Sequence, residues 1–478
     1  MRIYRKAGDR VELIALGRDL RLEKGDYVLA SDGSSTLVLQ VIDVEYAELP
    51  GALEETLRDL TTDSLVQLVR HDPMNVESHV RAVRDSRLVV TKLRKVIGGP
   101  SISLPSRHAT RVRQASPLEV LDLASGHKER SIELGDGVAI DPRDVEGCVT
   151  IITGRKESGK SHLAKLLAVS LVMTGYTVLV LDINGEYVSL GTRRDGGRSG
   201  IHDRMTVLSP GIDYLIPLNG LSQEVLADVM TFALGLPQTS LRELLRAARE
   251  LRESGGLTFR GLYRAVLHSQ MNESVRDAIL NRLAALESSG LFTDERGATD
   301  ALVKALASPE GRLVVLDMSC LGPSQRRILV EYVLSDLKDR LFAGELEPLI
   351  LFAEEAHLYL RETYWEDIVT RMRHIGISTV LITNQPDSIP ALIYRQADNV
   401  FMFNTRNGSD IEHLARNLDV DAETLRSILP DLERGHVLAW GKAFSFMPIA
   451  LTVRDTELVT RGETRRRSLR GESAEGVM

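Results

Sequence analysis

The sequence predicts an α/β fold with a mainly parallel sheet that is covered by helices on both faces. Short apolar runs that suit buried strands alternate with helical patterns through most of the chain after residue 148. Several of these runs end in a polar or acidic residue, and α/β sheets place their sites at that end of their strands. The runs expected to form the sheet are residues 149–152, 177–181, 312–319, 348–357, 378–385, 399–404 and 436–440.

A glycine-rich loop joins the first of these strands to a helical pattern. Residues 154–161 read GRKESGKS and fit G-x-x-x-x-G-K-[ST] at every fixed position. The helical pattern that follows places four leucines on one face: Leu163, Leu166, Leu167 and Leu171. A strand, this loop and a helix in that order are the context in which the motif forms a P-loop.

The residue types of the loop suit phosphate binding. Gly154 and Gly159 allow a tight turn in which successive N–H groups face one concavity, next to the positive end of the following helix. Lys160 can reach the β- and γ-phosphates, and the Ser161 hydroxyl can ligate Mg²⁺. We therefore expect ATP and Mg²⁺ as cofactors. The expected nucleotide contacts are Gly154, Arg155, Lys156, Glu157, Ser158, Gly159, Lys160, Ser161 and His162.

Length and composition limit the class of protein. A chain of 478 residues with 43% hydrophobic and 26% charged residues suits two or three globular domains. It has no apolar run near the ~20 residues of a membrane span, no signal-peptide core and only two cysteines, Cys148 and Cys320. These observations predict a cytoplasmic protein with no membrane association. The net charge of −8 does not by itself indicate nucleic-acid binding. It is compatible with such binding, because a ring can line its channel with a few basic residues and stay acidic outside.

Composition shifts along the chain predict its domain organisation. Alternating strand patterns separated by turn residues predict a small β-barrel over residues 1–100, with a helix near 51–69. Four prolines punctuate a predicted linker over 101–147. Residues 148–218 and 306–455 form the predicted P-loop core, 219–305 a helical bundle inserted into it, and 456–478 an arginine-rich tail.

Three predicted strands end in an acid: Asp182, Asp317 and Glu354. Hydrolysis of a nucleotide needs one carboxylate near Mg²⁺ and another that polarises the attacking water. Only LILFAEEAH has two adjacent carboxylates after an apolar strand, so we expect Glu354 near the metal and Glu355 at the water. The alternative is that both acids begin a helix, where its dipole favours them. Asp317 is interpreted as a turn residue.

Polar and basic side chains follow the glutamate pair. Asn384 or Gln385, at the end of the next strand, could sense the γ-phosphate or hold the water, and each could equally be a structural amide. An arginine finger could come from Arg371, Arg373, Arg395 or Arg406, although a solvated helix face explains any one of them.

The ordered motifs resemble the HerA family of archaeal DNA translocases, within the HerA/FtsK group of ring ATPases. The matching stretches cover about residues 149–445 and are the P-loop, DINGEY, LVVLDMSCL, FAEEAH, ITNQPDSIPALIYRQADNVFMFNTR and LPDLERGHVLAWGKA. The resemblance implies a RecA-like P-loop NTPase core of the additional-strand, catalytic-glutamate class, with a β-barrel and a helical bundle.

The resemblance also implies a function and its residues. It implies a homo-hexameric ring that translocates on double-stranded DNA and works with a NurA-type nuclease in resecting DNA ends. By family position Glu355 is the catalytic glutamate, and Arg373 (or Arg371) is the finger donated by the neighbouring subunit. The expected catalytic set is Glu355, Lys160, Arg373 and Gln385, with Ser161 and Glu354 at the metal.

Two other functions stay open. A related ATPase that drives DNA or protein transfer would share the core, and so would a scaffold whose ATP site only governs assembly with a nuclease. For a motor, the candidate DNA contacts are three arginines of the polar loop 191–200, Arg193, Arg194 and Arg198, although a solvated loop explains them equally well.

Overall fold

A computed structural model describes most of the chain. The described residues are 1–15, 22–47, 86–98, 110–126, 130–254, 256–295, 300–308, 310–358 and 373–459. The helix predicted near 51–69 and the predicted arginine-rich tail beyond 459 lie outside them. The chain divides into two compact units, the first made of residues 1–178 and 333–456, the second of 179–332 and 457–478.

The first unit begins with a six-stranded antiparallel sheet in the order β1-β2-β5-β4-β3-β6. Its strands are β1 (Arg2–Ala7), β2 (Arg10–Ala15), β3 (Tyr27–Ser31), β4 (Thr36–Tyr46), β5 (Arg87–Ile97) and β6 (Arg111–Ala115). One apolar cluster includes Ile3 of β1 and packs against Val112 of β6, so the sheet curls on itself. Within the described residues β1 and β6 are not hydrogen-bonded neighbours, and closure into a barrel remains a prediction.

The predicted boundary at residue 100 is wrong, because β6 pairs with β3 and completes the N-terminal sheet. The rest of the predicted linker also contains regular structure. Its elements are α1 (Pro117–Ser125), β7 (Ile132–Gly135) and β8 (Val138–Ile140), the last two forming a hairpin. Ser116 accepts a hydrogen bond from the Glu119 amide and so caps α1.

The first unit continues with six strands of the central sheet. They are β9 (Val149–Thr153), β15 (Leu349–Ala353), β16 (Ile377–Thr383), β17 (Asn399–Phe403), β18 (His436–Gly441) and β19 (Ile449–Thr452). Their order is β15-β16-β9-β17-β18-β19. The first four are parallel, and β18 runs antiparallel to both of its neighbours, β17 and β19, so the mainly parallel prediction holds with a mixed edge.

Helices of the first unit follow or connect these strands. They are α2 (Lys160–Met173), α9 (Ala391–Arg395), α10 (Gly408–Asn417) and α11 (Ala422–Ile428). The four leucines that the sequence places on one face of α2 are all buried. Burial extends to nearly every apolar side chain of α2, as expected for a helix inside an α/β core.

The second unit has a sheet of three strands, β10 (Val178–Asp182), β11 (Met205–Leu208) and β14 (Leu313–Asp317), in the order β11-β14-β10. A separate parallel pair joins β12 (Ile216–Pro217) and β13 (Phe292–Thr293). The predicted bundle region contains the helices α3 (Gln223–Asp228), α4 (Gln238–Ser254), α5 (Phe259–His268), α6 (Glu273–Ser288) and α7 (Ala301–Leu306).

Helix α8 (Pro323–Phe342) runs from the second unit into the first. No helix of the described ranges is long and apolar enough to cross a membrane.

Buried charges fasten the N-terminal sheet to α11. Arg94 of β5 donates to the Asp421 carboxylate at 2.8 Å and to the Thr424 hydroxyl at 2.6 Å. Asp421 also caps α11 by accepting from the Thr424 amide at 2.9 Å. Burial alone would raise the pKa of Asp421, but the hydrogen bonds from Arg94 and Thr424 outweigh it and hold this pKa below its usual value.

Replacing Arg94 by Met should lower the free energy of unfolding by about 2–4 kcal/mol, because the partly buried Asp421 loses its main cation. Arg10→Met is the matched control. Arg10 contacts Glu423 at 3.4 Å with both side chains well exposed, so about 1 kcal/mol or less is expected. Urea unfolding measures both, and equal losses would contradict a special role for Arg94.

The depressed pKa of Asp421 sets the direction of the pH effect. Its stabilisation is complete above the unfolded-state value of about 4 and is lost as pH falls through the lower folded-state pKa. Unfolding of Asp421→Asn should therefore lack this acid-dependent loss.

Candidate nucleotide-binding site

The P-loop between β9 and α2 adopts a left-handed backbone at three positions. The φ angles are +140° at Gly154, +62° at Glu157 and +118° at Gly159. Gly159 is also the N-cap of α2 and supplies no side-chain cap. The first-turn amides of a 14-residue helix therefore remain suited to an anion, next to the positive end of the helix dipole.

The loop packs closely against the end of β17. A Cβ built on Gly154 would lie 2.6 Å from the Phe403 Cβ, and one on Gly159 would lie 3.1 Å from the Phe403 ring. Glycine is needed at both positions because the space and the φ angle each disfavour a side chain.

Two backbone hydrogen bonds hold the ends of the loop. The Arg155 amide donates to the Asn404 carbonyl at 3.0 Å, and the Gly435 amide donates to the Ser158 carbonyl at 2.9 Å. The buried Asn404 side chain donates to the carbonyls of Pro430 and Leu432 at 2.9 and 2.6 Å. The loop is therefore shaped before any ligand arrives.

Lys160 lies inside this shaped loop. Its side chain is buried, and Nζ donates to the Arg155 carbonyl at 2.7 Å. The side chains of Arg155, Lys156 and Glu157 are exposed, whereas Ser158 is buried and its hydroxyl donates to the same carbonyl at 2.8 Å. A glycine cradle, a helix N-terminus and an inward lysine fit a nucleotide triphosphate.

The two residues after Lys160 differ in their surroundings. Ser161, half-buried on the first turn of α2, is placed to hold a magnesium ion of the nucleotide. The His162 ring lies with Nε2 2.8 Å from the Arg454 carbonyl oxygen, and so ties α2 to the segment after β19.

The register of three parallel strands brings the glutamate pair to the same edge as the P-loop. Thr383 of β16 lies opposite Thr153 of β9, and Ala353 of β15 lies opposite Leu381. Because neighbouring strands are about 4.8 Å apart, β15 ends roughly 10 Å from the start of the P-loop. β16 lies between them.

Glu354 and Glu355 differ in their surroundings. Glu354 is buried, while the Glu355 side chain is 24% exposed. Glu355 has φ +49°, a left-handed backbone that is uncommon for glutamate. Its Oε1 accepts from the Asn384 side-chain amide at 3.3 Å, and its Oε2 lies 3.4 Å from His357 Nδ1. The two carboxylates are thus suited to different tasks.

Of the two candidate amides after β16, Asn384 is the one that contacts the glutamate. Gln385 is exposed, and its described hydrogen bonds use its backbone, whose N–H donates to the Thr383 hydroxyl at 3.0 Å. Sequence reasoning left the roles of both amides open, placed Gln385 in the expected catalytic set, and did not single out His357 or Thr383. The EEAH pattern placed a histidine near Glu355 but did not say that it faces the carboxylate.

The other strand-end acids have structural partners. Asp317 accepts from the Ser319 amide at 3.0 Å, which confirms it as a turn residue. Asp182 is fully buried and accepts from the amides of Glu186 and Tyr187 at 3.0 and 2.8 Å. Burial raises the pKa of Asp182 despite these two bonds.

Arg373 is far from the P-loop of its own chain. It begins a 3-10 turn, Arg373–Ile375, just before β16, whereas the P-loop meets the opposite end of that strand. Seven residues of strand span roughly 23 Å. Arg406 instead follows β17 at the P-loop edge, Arg395 ends α9, and Arg371 lies outside the described residues.

The arginines predicted to contact DNA have partners within the second unit. Arg193 pairs with Glu457 at 2.7 Å, and Arg198 lies 3.7 Å from Asp203. The Arg194 amide donates to the Glu457 carbonyl at 2.8 Å. The loop is therefore partly neutralised, which weakens the case for it as a phosphate-binding surface.

The fold and the site together define an α/β P-loop ATPase core. Residues 152–337 match the family model described as the central domain of helicase HerA. The resemblance to that family predicted from the motifs is confirmed for this part of the chain.

Individual proteins similar to this chain have low sequence identity to it. The chain is 20% identical over 310 residues to the DNA double-strand break repair helicase HerA of Saccharolobus solfataricus strain P2, a match that covers 60% of each protein. Among solved structures, VirB4 of Thermoanaerobacter pseudethanolicus superposes with a TM-score of 0.52 and 16% identity, covering 69% of this chain and 98% of VirB4. The plasmid coupling protein TrwB, in complex with a non-hydrolysable GTP analogue, superposes with a TM-score of 0.53 and 15% identity, covering 73% of this chain and 95% of TrwB. These structures establish the fold.

Replacing Gly154 by Ala should abolish nucleotide binding, because the new Cβ forces the loop away from Phe403. The same change should lower the free energy of unfolding by about 2–4 kcal/mol through overpacking and the left-handed φ. Gly408→Ala is the control, since its Cβ meets no atom within 4 Å. Titration with a fluorescent ATP analogue and urea unfolding give the two readouts, and wild-type affinity in Gly154→Ala would refute this account of the loop.

Proposed function

We propose that this protein is an ATP-driven motor that translocates on double-stranded DNA as a homo-hexameric ring. The observation that carries the proposal is the convergence of the P-loop, Glu355 and Asn384 at one sheet edge, in a chain whose central region matches the HerA family. A NurA-type nuclease is the partner implied by the resemblance, and DNA end resection at double-strand breaks is the process.

In the proposed mechanism the loop amides and Lys160 bind the phosphates of ATP. Ser161 and Glu354 would hold Mg²⁺, which when bound offsets phosphate charge. Glu355 orients and polarises the attacking water, and Asn384 holds one of its oxygens. Lys160 and Glu354 are buried, which strengthens their electrostatic interactions.

Two other functions share this chemistry. The fold likeness to VirB4 and to the plasmid coupling protein TrwB favours an ATPase that drives transfer of DNA or protein. An ATP-regulated scaffold for a nuclease is the third candidate. ATP turnover with and without duplex DNA separates them. A motor on DNA requires strong stimulation by the duplex, while a scaffold requires none, and absence of stimulation would overturn the motor.

Lys160→Ala should lose both nucleotide affinity and turnover, because the phosphates lose their main protein cation. Glu355→Gln should keep affinity and lose turnover, since an amide cannot polarise water as a carboxylate does while Glu354 remains. Equilibrium binding of ATP and steady-state phosphate release measure the two effects. Near-normal turnover in Glu355→Gln would show that another group activates the water.

The position of Arg373 about a strand length from its own P-loop supports a role in the neighbouring subunit's site. Arg373→Ala should therefore assemble and bind ATP but turn it over about 10³- to 10⁵-fold more slowly. Mixing inactive Lys160→Ala and Arg373→Ala subunits should restore turnover, because some interfaces then pair an intact lysine with an intact arginine.

Two outcomes bear on this assignment. Full activity of Arg373→Ala alone would show that Arg373 is not the finger, and Arg371, Arg395 and Arg406 would then be the remaining candidates. Mixed rings of confirmed composition that stay inactive would oppose a simple finger in trans.

A further inference from the structure

His357 is a buried histidine whose ring faces the proposed catalytic glutamate. It lies on a one-turn 3-10 helix, Ala356–Leu358, directly after the glutamate pair, and only 7% of its surface is exposed. Nδ1 lies 3.4 Å from Glu355 Oε2 and 3.2 Å from the Thr383 hydroxyl oxygen. We infer that His357 is a positioning residue that holds the Glu355 carboxylate in place for hydrolysis, an inference that rests on the proposed ATPase function.

The surroundings of Nδ1 indicate which form of the ring is present. The Thr383 hydroxyl oxygen accepts from the Gln385 amide at 3.0 Å, and its own hydrogen can reach the Gln385 carbonyl at 3.3 Å. A bare Nδ1 lone pair would face a carboxylate oxygen, which is repulsive. Nδ1 therefore carries a proton, assigned from these neighbours. It donates this proton to the Thr383 hydroxyl oxygen, and the polar N–H also lies 3.4 Å from Glu355 Oε2.

The two oxygens of Glu355 are thereby held from separate elements. Asn384, at the end of β16, contacts Oε1 at 3.3 Å, and His357 faces Oε2. Thr383, also of β16, lies behind the imidazole and sets its angle. A general base gains from such an arrangement because its rotamer is selected before substrate binds.

The backbone of Glu355 supports the same conclusion. Its φ of +49° costs energy for a residue with a side chain, and such a conformation persists only where surrounding contacts determine it. The Glu355 carbonyl accepts from the Leu358 amide at 2.9 Å, so the 3-10 turn that carries His357 also fixes the glutamate backbone. One short turn thus controls the backbone and one carboxylate oxygen.

The test compares three replacements of His357 by ATP turnover without DNA. His357→Ala removes the donor, His357→Leu fills the space without a donor, and His357→Asn retains an N–H donor on a shorter side chain. We expect kcat to fall about 10- to 100-fold in the Ala and Leu variants. Turnover should recover substantially in Asn, while the affinity for a non-hydrolysable ATP analogue stays within roughly threefold of wild type.

A packing role predicts a different ranking. If His357 only fills space, Leu should retain activity better than Asn, and that order would overturn the inference. His268→Ala, an exposed histidine at the end of α5, is the control and should leave turnover unchanged.

A second background shows whether His357 acts through Glu355. In Glu355→Gln, His357→Ala should change the residual turnover by less than about twofold, because residues that act as one unit are not additive. If His357→Ala lowers turnover in Glu355→Gln by as large a factor as it does in the wild-type chain, the inference is refuted.

These readouts separate the inference from the wider proposal. If duplex DNA does not stimulate turnover but the His357 variants rank as expected, only the proposal of a DNA motor is wrong. If DNA stimulates turnover but His357→Ala turns over ATP normally, only the inference about His357 is wrong. A wild-type chain that hydrolyses no ATP overturns both.

Discussion

The register of three parallel strands is the constraint on which the site depends. Because β16 lies between β9 and β15, the P-loop and the glutamate pair end at one edge, about 10 Å apart. A slip of one residue in either pairing would turn the alternating side chains to the opposite faces. The strands Val149–Thr153 and Leu349–Ala353 resist such a slip because every residue in them is buried.

The same edge also shapes the loop from the other side. Phe403 at the end of β17 fills the space beside the loop glycines, and the Asn404 carbonyl just after it accepts from the loop backbone. Asn404 in turn holds residues 430 and 432, and Gly435 returns to bond Ser158. The P-loop is therefore one part of a larger hydrogen-bonded assembly, which explains why a rigid phosphate cradle exists in a loop rich in charged residues.

The N-terminal sheet is joined to the rest of the first unit through one of its two faces. One face encloses its own apolar cluster. From the other, the Tyr27 hydroxyl and the Gln40 amide donate to the Pro448 carbonyl at 2.9 and 2.7 Å. Arg94 of β5 donates to Asp421, the N-cap of α11. These contacts join the sheet to α11 and to Pro448, which precedes β19. Regions that are distant in sequence are thus joined by hydrogen bonds in the first unit.

The sequence by itself determined most strands of the core, the P-loop and its helix, because buried runs, glycine spacing and leucine periodicity are local signals. It also located Glu354 and Glu355, since two acids after an apolar strand need no tertiary information. Strand β6 was not predicted because its pairing partner β3 is distant in sequence, and β11 and β19 were not predicted because each has only four residues. Only the tertiary structure decided that Asn384 rather than Gln385 meets Glu355, that His357 faces the same carboxylate, and that Arg373 lies a strand length from its own P-loop. Each of these depends on how the segments before and after the strands are placed by the pairing of the sheet, which local sequence signals do not encode.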